Sequence, residues 1–212
     1  MEQLTIALAK GRTAKQTISL LEKADIAFHD FHPDSRKLVF HNQENTVKLV
    51  FVKAVDVCTY VETGAADIGI VGKDNILEAN PDIYELADLK FGKCKFCVAG
   101  LHGQTPLDKA EHLTVASKYP YVAEQYFKDK NIPITTIKLN GSVELAPLIG
   151  MADVIVDIVE TGNTIRENGL QILADMDHIS TRLVVNKASF ATKTASIQKI
   201  IDQIKNGLEC TV

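Results

Sequence analysis

The chain has few of the residues that mark special classes of protein. Its 212 residues include no tryptophan, only 6% aromatic residues, six prolines and twelve glycines. This composition excludes collagen-like and low-complexity chains, which are rich in glycine and proline. No apolar run reaches the roughly 18 residues of a membrane-spanning helix, and the N-terminus lacks the basic and apolar regions of a signal peptide. We therefore expect a cytoplasmic protein.

An excess of positive charge is also absent. The formal net charge is -4, whereas general nucleic-acid binders carry a basic face. We therefore expect neither a nucleic acid nor a membrane as partner. The 46% hydrophobic and 24% charged residues are typical of a globular protein that can offset the entropy of ordering. The length suffices for one large domain or two small lobes.

The four cysteines, Cys58, Cys94, Cys97 and Cys210, are too few for a disulfide framework. Cys94 and Cys97 form a C-x-x-C pattern, which raises a zinc or redox function. The surrounding residues are typical of a strand, where an offset of three puts side chains on opposite faces. No second C-x-x-C or histidine pair completes a four-ligand site. The pattern favours buried or half-buried thiols, and we predict no metal held by protein side chains.

Strand-like and helix-like segments alternate along the chain. Predicted strands cover 4–9, 38–40, 47–52, 66–71, 94–100, 113–116, 134–139, 154–159 and 182–186, and predicted helices include 13–23, 120–130 and 196–206. This pattern predicts an α/β fold of mostly parallel sheets flanked by helices. The composition of residues 89–92 and 175–178 is less typical of a regular strand or helix, and we expect the chain to cross between lobes there. Lobe I would then contain residues 1–90 and 178–212, and lobe II residues 91–177.

The sharpest local motif follows the apolar strand at 154–159, where Thr161-Gly162-Asn163-Thr164 leads into a helical segment. Such a turn presents unpaired N–H groups and two hydroxyls at a helix start, which suits a phosphate, and Gly162 allows close approach. Asp157 and Glu160 would repel a phosphate, so we expect them to bind sugar hydroxyls or a phosphate-bound Mg²⁺. The alternative is a threonine-capped helix without a ligand. The strand and the two acids favour the phosphate site.

Charged residues follow several other predicted strands. Lys10 and Arg12 come after the first strand, Lys53 after the strand at 47–52, and Gly72-Lys73-Asp74 after the strand at 66–71. Open α/β sheets bind ligands at the carboxyl ends of their strands, so these loops predict a cradle for a polyanion.

The loop with Ser142 and Glu144 follows the strand at 134–139. Glu144 either caps the next apolar segment or accepts a hydrogen bond from a ribose hydroxyl or an amine.

Four ordered motifs, Leu8–Arg12, Gly64–Asp74, Asn140–Glu144 and Asp157–Thr164, resemble those of the ATP phosphoribosyltransferases, and the resemblance spans the first strand to the last helix. It implies condensation of ATP with phosphoribosyl pyrophosphate to phosphoribosyl-ATP and pyrophosphate, the first step of histidine biosynthesis. It also implies a two-lobed fold like that of type II periplasmic binding proteins. The alternatives are a solute receptor of that fold and a nucleobase-salvage phosphoribosyltransferase. The phosphate loop of the latter usually carries adjacent acids, whereas Asp157 here precedes Ile158.

The resemblance also implies a role for each candidate residue. Thr161, Gly162, Asn163 and Thr164 would hold the 5′-phosphate, Asp157 and Glu160 would lie beside the ribose, and Glu144 near the other substrate. Lys10, Arg36 and Lys53 are the candidate catalytic residues facing the phosphates, and Arg12, Gly72, Asp74 and Ser142 are further substrate-binding candidates. Lys53 stands where similar sequences usually carry arginine, and Cys58 where they usually carry proline. Mg²⁺ is expected to arrive on the pyrophosphate.

The length of 212 residues resembles the short form of this family. The long form continues into a C-terminal domain that binds histidine, and this chain ends at Val212. The resemblance then implies a separate HisZ-like regulatory subunit, itself similar to histidyl-tRNA synthetase. We expect a hetero-oligomer in which the catalytic chains also dimerise.

Overall fold

The computed structural model describes residues 3–32, 35–103, 107 and 110–209. The chain divides into two compact units, one formed by Met1–Gly92 with Ser180–Val212 and the other by Lys93–Ile179. Both boundaries lie within about two residues of the lobe boundaries that the sequence predicts. The chain therefore leaves the first unit once and returns to it once.

The described residues contain eleven strands, eight α-helices and a short 3-10 helix at Ala54–Asp56. The strands are β1 (Leu4–Ala9), β2 (Val39–His41), β3 (Val47–Val52), β4 (Ile68–Gly72), β5 (Tyr84–Asp88), β6 (Cys94–Leu101), β7 (Leu113–Ser117), β8 (Ile134–Lys138), β9 (Val154–Val159), β10 (Leu170–Ile179) and β11 (Thr181–Val185). The helices are α1 (Arg12–Lys23), α2 (Val57–Glu62), α3 (Lys73–Ala79), α4 (Pro120–Asp129), α5 (Leu145–Leu148), α6 (Asn163–Glu167), α7 (Lys187–Thr192) and α8 (Thr194–Glu209). None of these described helices combines the length and apolarity that crossing a membrane requires.

The first unit is built on a six-stranded sheet in the order β2-β3-β1-β4-β11-β5. All residues of its central strand β1 are buried, because helices cover both faces of the sheet. Leu4, Ile6 and Leu8 pack in the core that contains α1 and α8. Ala7 and Ala9 point the other way, into the core formed with α2 and α3. The period of two along β1 thus supplies both cores from one strand.

The second unit is built on a five-stranded sheet in the order β10-β6-β9-β7-β8. Ile155 and Val159 of its central strand β9 pack against Val143, Ala146 and Ile165. Ala146 belongs to α5, Ile165 to α6, and Val143 lies two residues before α5, so the two short helices cover one face of the sheet. Helix α4 contacts β7 and β8.

The predicted α/β fold class is confirmed, but both sheets are mixed where the sequence pattern predicts mostly parallel ones. Among the described strands, two of five pairings in the first sheet are parallel, as are two of four in the second. In the first sheet, the returning strand β11 is antiparallel to both β4 and β5, and β2 is antiparallel to β3. In the second sheet, β6 is antiparallel to both β9 and β10. The segment 175–178, expected to be a lobe crossing, is the end of β10 and pairs with β6.

Candidate active site

Strands β1 and β3 are parallel neighbours and end side by side. Ala9 is in register with Val52, so Lys10 and Lys53 follow at the same edge of the sheet. The backbone N–H of Lys10 donates to the carbonyl of Val52 at 3.4 Å. Both lysines line one open cleft, together with the exposed ring of Tyr60. The fold therefore brings two of the predicted cations to one strand edge of the first unit.

Lys10 also connects this edge to the segment that carries Arg36. Its Nζ donates to the carbonyl of Ser35 at 3.1 Å and lies 5.8 Å from the centroid of the Phe51 ring. Arg36 and Lys53 are exposed, and among the residues that the structure describes neither forms a salt bridge. Their positive charge is therefore open to a bound polyanion. Arg12 begins α1, and its side chain lies outside the described part of the structure.

The loop after β4 is built around a buried carboxylate. Asp74 is 9% exposed, and its Oδ2 accepts a hydrogen bond from Asn75 Nδ2 at 2.8 Å. A Cβ on Gly72 would lie 2.1 Å from Oδ1 of Asp74, so the carboxylate occupies the space that a side chain at position 72 would need. Lys73 pairs with Glu85 at 2.5 Å, which neutralises the cation of this loop.

In the second unit, β9 runs directly into the predicted phosphate loop. Glu160 and Thr161 are exposed, and Gly162 adopts left-handed φ and ψ of 76° and 7°. Only glycine takes this conformation at little cost. Helix α6 starts at Asn163, whose N–H approaches Thr161 Oγ1 at 3.4 Å. Ile165, 3% exposed, anchors the short helix in the core.

One residue that contacts this loop was missed by sequence reasoning. Nη2 of Arg166 donates to the carbonyl of Thr161 at 3.3 Å and to Asn163 Oδ1 at 2.5 Å. The pattern indicated only a helical position for Arg166. Its spacing of four from Gly162 could have revealed the contact, because helical side chains point toward the N-terminus and cover the preceding turn.

Asp157 sits inside β9, opposite Cys97 of β6. It is half-buried, and its Oδ1 accepts from the N–H of Ile158 at 2.8 Å. Burial raises the pKa of Cys97 to about 12, with the negative charges of Asp157 and Asp175 adding to the effect. Cys97 is therefore a neutral core thiol. Cys94 lies in the same strand and is partly exposed.

The Ser142–Glu144 turn follows β8 in the same unit. Ser142 has a φ of 50°, in the left-handed region, and the next residue, Val143, is buried in the core. Glu144 precedes α5 and is half-buried, but its side chain forms no capping hydrogen bond with that helix. Glu144 therefore occupies the N-cap position of α5 without a capping hydrogen bond from its side chain, and both predictions for it, a charge at the helix start and a ligand contact, stay predictions.

The carboxylates of the site do not form a metal cage. No group of three His, Cys, Asp or Glu side chains within the described ranges could hold a metal ion. Asp157 lies within β9, and Glu160 is the first residue after that strand.

Comparisons with known proteins agree over nearly the whole chain. The family model HisG, described as ATP phosphoribosyltransferase, matches residues 53–206. An ATP phosphoribosyltransferase from Oceanobacillus iheyensis is 59% identical over 204 residues, which cover 96% of this chain and 98% of that protein. Another from Clostridioides difficile is 53% identical over 201 residues, covering 95% of this chain and 96% of that protein.

Solved structures extend the similarity to the fold. The ATP phosphoribosyl transferase (HisG:HisZ) complex from Thermotoga maritima contains a chain that matches with a TM-score of 0.86 at 31% identity, covering 98% of this chain and 99% of its own. The alkanesulfonate-binding protein SsuA from Xanthomonas axonopodis matches with a TM-score of 0.61 at 12% identity, covering 98% of this chain and 73% of its own. The second similarity concerns the fold alone and confirms the periplasmic-binding-protein-like architecture that the resemblance implies.

Proposed function

This chain belongs to the ATP phosphoribosyltransferase family, and from that premise we propose which of its residues carry the reaction. The enzyme condenses ATP with phosphoribosyl pyrophosphate in the first step of histidine biosynthesis. N1 of adenine attacks C1 of the ribose, the C1–O bond to pyrophosphate breaks, and phosphoribosyl-ATP forms. Positive charge develops on the ribose and negative charge on the leaving group. Positioning and electrostatic stabilisation therefore supply most of the rate.

The Thr161–Thr164 loop is the single observation that carries the assignment of residues. It follows the buried strand β9, turns at Gly162 with a φ of 76°, and leads into α6. Its exposed hydroxyls and N–H groups suit the 5′-phosphate of phosphoribosyl pyrophosphate. Asp157 and Glu160 precede the loop in the chain and accept hydrogen bonds from the ribose hydroxyls.

The cations of the first unit stabilise the negative charge of the substrate phosphates and of the leaving pyrophosphate. Lys10 and Lys53, side by side at one strand edge, neutralise the phosphates of the substrates, and Arg36 adds a third catalytic cation. Arg12 contributes to phosphate binding at the start of α1. Lysine at position 53 supplies charge without the bidentate fork of arginine, so its contact with a phosphate is a single point.

The remaining candidates recognise ATP through neutral and acidic groups. Gly72 leaves room for the buried carboxylate of Asp74, which is thereby held at a fixed position after β4. Ser142 and Glu144 offer a hydroxyl and a carboxylate before α5. Glu144 accepts a hydrogen bond from a ribose hydroxyl or from the adenine amine.

Metal-ion use is general in this family, and here the ion is Mg²⁺ bound to the pyrophosphate of the substrate. The carboxylates of Asp157 and Glu160, which precede the phosphate loop in the chain, support this proposal. Mg²⁺ prefers phosphate oxygens and water to protein cages, and when bound it neutralises the leaving pyrophosphate.

The chain functions in a hetero-oligomer with a HisZ-type subunit, as the Thermotoga maritima complex supports. That subunit confers activation and histidine feedback, and the catalytic chains dimerise within the assembly. ATP and phosphoribosyl pyrophosphate are cytoplasmic metabolites, which supports a cytoplasmic location.

The test combines the chain and its HisZ-type subunit with ATP, phosphoribosyl pyrophosphate and Mg²⁺, and follows phosphoribosyl-ATP by absorbance. Lys53→Ala and Arg36→Ala are each expected to lower kcat/KM about 100-fold, the effect of removing one group that stabilises a developing anion. Their melting temperatures should stay at the wild-type value because both side chains are exposed. Lys199→Ala on α8 is the matched control for loss of one exposed lysine. Unchanged turnover in both site variants would remove these residues from the catalytic set.

A further inference from the structure

Arg166 is the residue that connects the two sides of the phosphate loop, and none of the roles above uses it. We propose that Arg166 is a positioning residue for the 5′-phosphate of phosphoribosyl pyrophosphate, which it serves by holding the Thr161–Thr164 loop in its binding conformation. The inference rests on the proposed function of that loop.

The guanidinium of Arg166 contacts three consecutive loop residues. Nη2 donates to the carbonyl of Thr161 at 3.3 Å and to Asn163 Oδ1 at 2.5 Å. Nη1 lies beside Gly162, since a Cβ added to that glycine would be 3.2 Å from it. The side chain thus covers the glycine turn from one side and ties the residue before it to the residue after it.

The backbone of Arg166 is itself firmly placed. The preceding residue, Ile165, is 3% exposed in the core of the second unit. At the other end of α6, Asn168 Nδ2 donates to the carbonyl of Thr164 at 2.9 Å, and the N–H of Gly169 donates to the carbonyl of Arg166 at 3.0 Å. The guanidinium therefore starts from a fixed point and reaches back over one helical turn.

Among the described residues, no carboxylate forms a salt bridge with the positive charge of Arg166. Two of the five N–H donors of a guanidinium are taken by the loop, and in the portion of the chain that the structure describes no carboxylate lies within salt-bridge distance of it. A dianionic phosphate on the loop gains from this uncompensated charge. Arginine suits both tasks, because its planar fork holds two acceptors while its charge remains.

We expect substitution of Arg166 to weaken binding of the 5′-phosphate and to leave binding of ATP unchanged. Loss of hydrogen bonds from a charged donor weakens binding by about tenfold. Arg166→Met keeps the length of the side chain but removes every donor, so the KM for phosphoribosyl pyrophosphate should rise about tenfold while the KM for ATP stays unchanged. Arg166→Lys keeps the charge but cannot hold two acceptors. It should recover only part of the loss.

The experiment measures inhibition by ribose 5-phosphate, which carries the 5′-phosphate without the pyrophosphate, in the complex with the HisZ-type subunit. We expect the inhibition constant to rise about tenfold in Arg166→Met and by an intermediate factor in Arg166→Lys. Lys128→Met, an exposed lysine of α4 in the same unit, is the control and should match the wild type. Should Arg166→Met fail to fold, Arg166→Lys carries the test alone.

Thr161→Val separates this inference from the proposed function of the loop. If Thr161→Val raises the inhibition constant and Arg166→Met does not, the role of Arg166 is overturned and the loop assignment stands. If Arg166→Lys equals the wild type, charge alone matters and the positioning role is overturned. If neither Thr161→Val nor Arg166→Met changes the constant, the loop does not bind the 5′-phosphate and both proposals are overturned.

Discussion

Replacing Gly72 with alanine should displace the carboxylate of Asp74. The backbone at Gly72 is extended, with φ -66° and ψ 142°, so alanine brings no backbone strain. The new Cβ, however, would lie 2.1 Å from Oδ1 and 3.3 Å from Cγ of Asp74, well inside the contact distance of non-bonded atoms. The side chain of Asp74 must therefore leave its present rotamer.

The cost has two parts. Holding a side chain off its rotamer costs about 0.5–1.5 kcal/mol, and loss of the 2.8 Å hydrogen bond from Asn75 Nδ2 to the charged carboxylate costs about 1.5–3 kcal/mol. Together they predict that Gly72→Ala lowers the free energy of unfolding by about 2–4.5 kcal/mol. For a chain of this size this corresponds to a fall in melting temperature of about 5–15 °C. The KM for ATP should also rise, because Asp74 is a proposed substrate-binding residue.

Thermal and denaturant unfolding, followed by circular dichroism, measure the change. Gly141→Ala is the matched control, since a Cβ at Gly141 meets nothing within 4 Å, and its unfolding should equal that of the wild type. In the double variant Gly72→Ala/Asp74→Ala the clash is gone, so it should be no less stable than Asp74→Ala alone. Wild-type stability of Gly72→Ala, or additive effects in the double variant, would refute the argument.

Two further predictions concern buried groups. Burial raises the pKa of Cys97 to about 12 and that of Cys58 to about 11, so both are thiols at pH 8. Mass spectrometry after alkylation of the folded chain at pH 8 should therefore find Cys94 labelled long before them, and equal labelling rates would contradict this. Lys193 Nζ lies 3.0 Å from Oδ1 of Asp67, which is 5% exposed. Lys193→Met leaves that buried carboxylate without this partner and should cost about 3 kcal/mol in denaturant unfolding. Asp67→Asn in the same chain should recover part of the loss, and a wild-type midpoint for Lys193→Met would contradict the prediction.

Several elements of the fold could be predicted from local sequence. The observed bounds of β3 and β9 equal the predicted ranges 47–52 and 154–159. Both strands lie inside a sheet, with a neighbouring strand on each side, and β9 is mostly buried. Apolar runs of this length bounded by polar loops are typical of such strands. Helix α1 begins one residue before the predicted range 13–23 and ends with it, and its apolar Ile18, Leu20 and Leu21 are buried.

Two of the edge strands, β5 and β10, could not be predicted in this way, although the edge strands β2 and β8 were. Among the described strands, β5 pairs with β11 alone and β10 with β6 alone. Most residues of β10 are half-buried or exposed, so its sequence carries polar residues that are equally typical of a loop. What makes it a strand is the row of hydrogen-bonding groups on β6, which is distant along the chain.

Some features of the candidate site could likewise be predicted from local sequence, and others could not. Loop residues such as Lys10, Lys53 and Gly162 could be found because they follow apolar strands and belong to residue types that bind anions. Two contacts could not be predicted. The ion pair of Lys73 with Glu85 joins two separate elements, and the hydrogen bond from Arg166 to Thr161 depends on the direction of a side chain.

Local sequence specifies where the buried strands lie and which candidate loops follow them, because burial requires apolar runs and anion binding requires glycine, hydroxyl and cationic residues. The strand directions, the mixed sheets and the edge strands β5 and β10 emerge from the folded chain alone. The folded chain also places the carboxylate of Asp74 against Gly72 and brings Arg166 to the phosphate loop. These features depend on pairings between segments and on the paths of side chains, and the order of residues alone does not specify either.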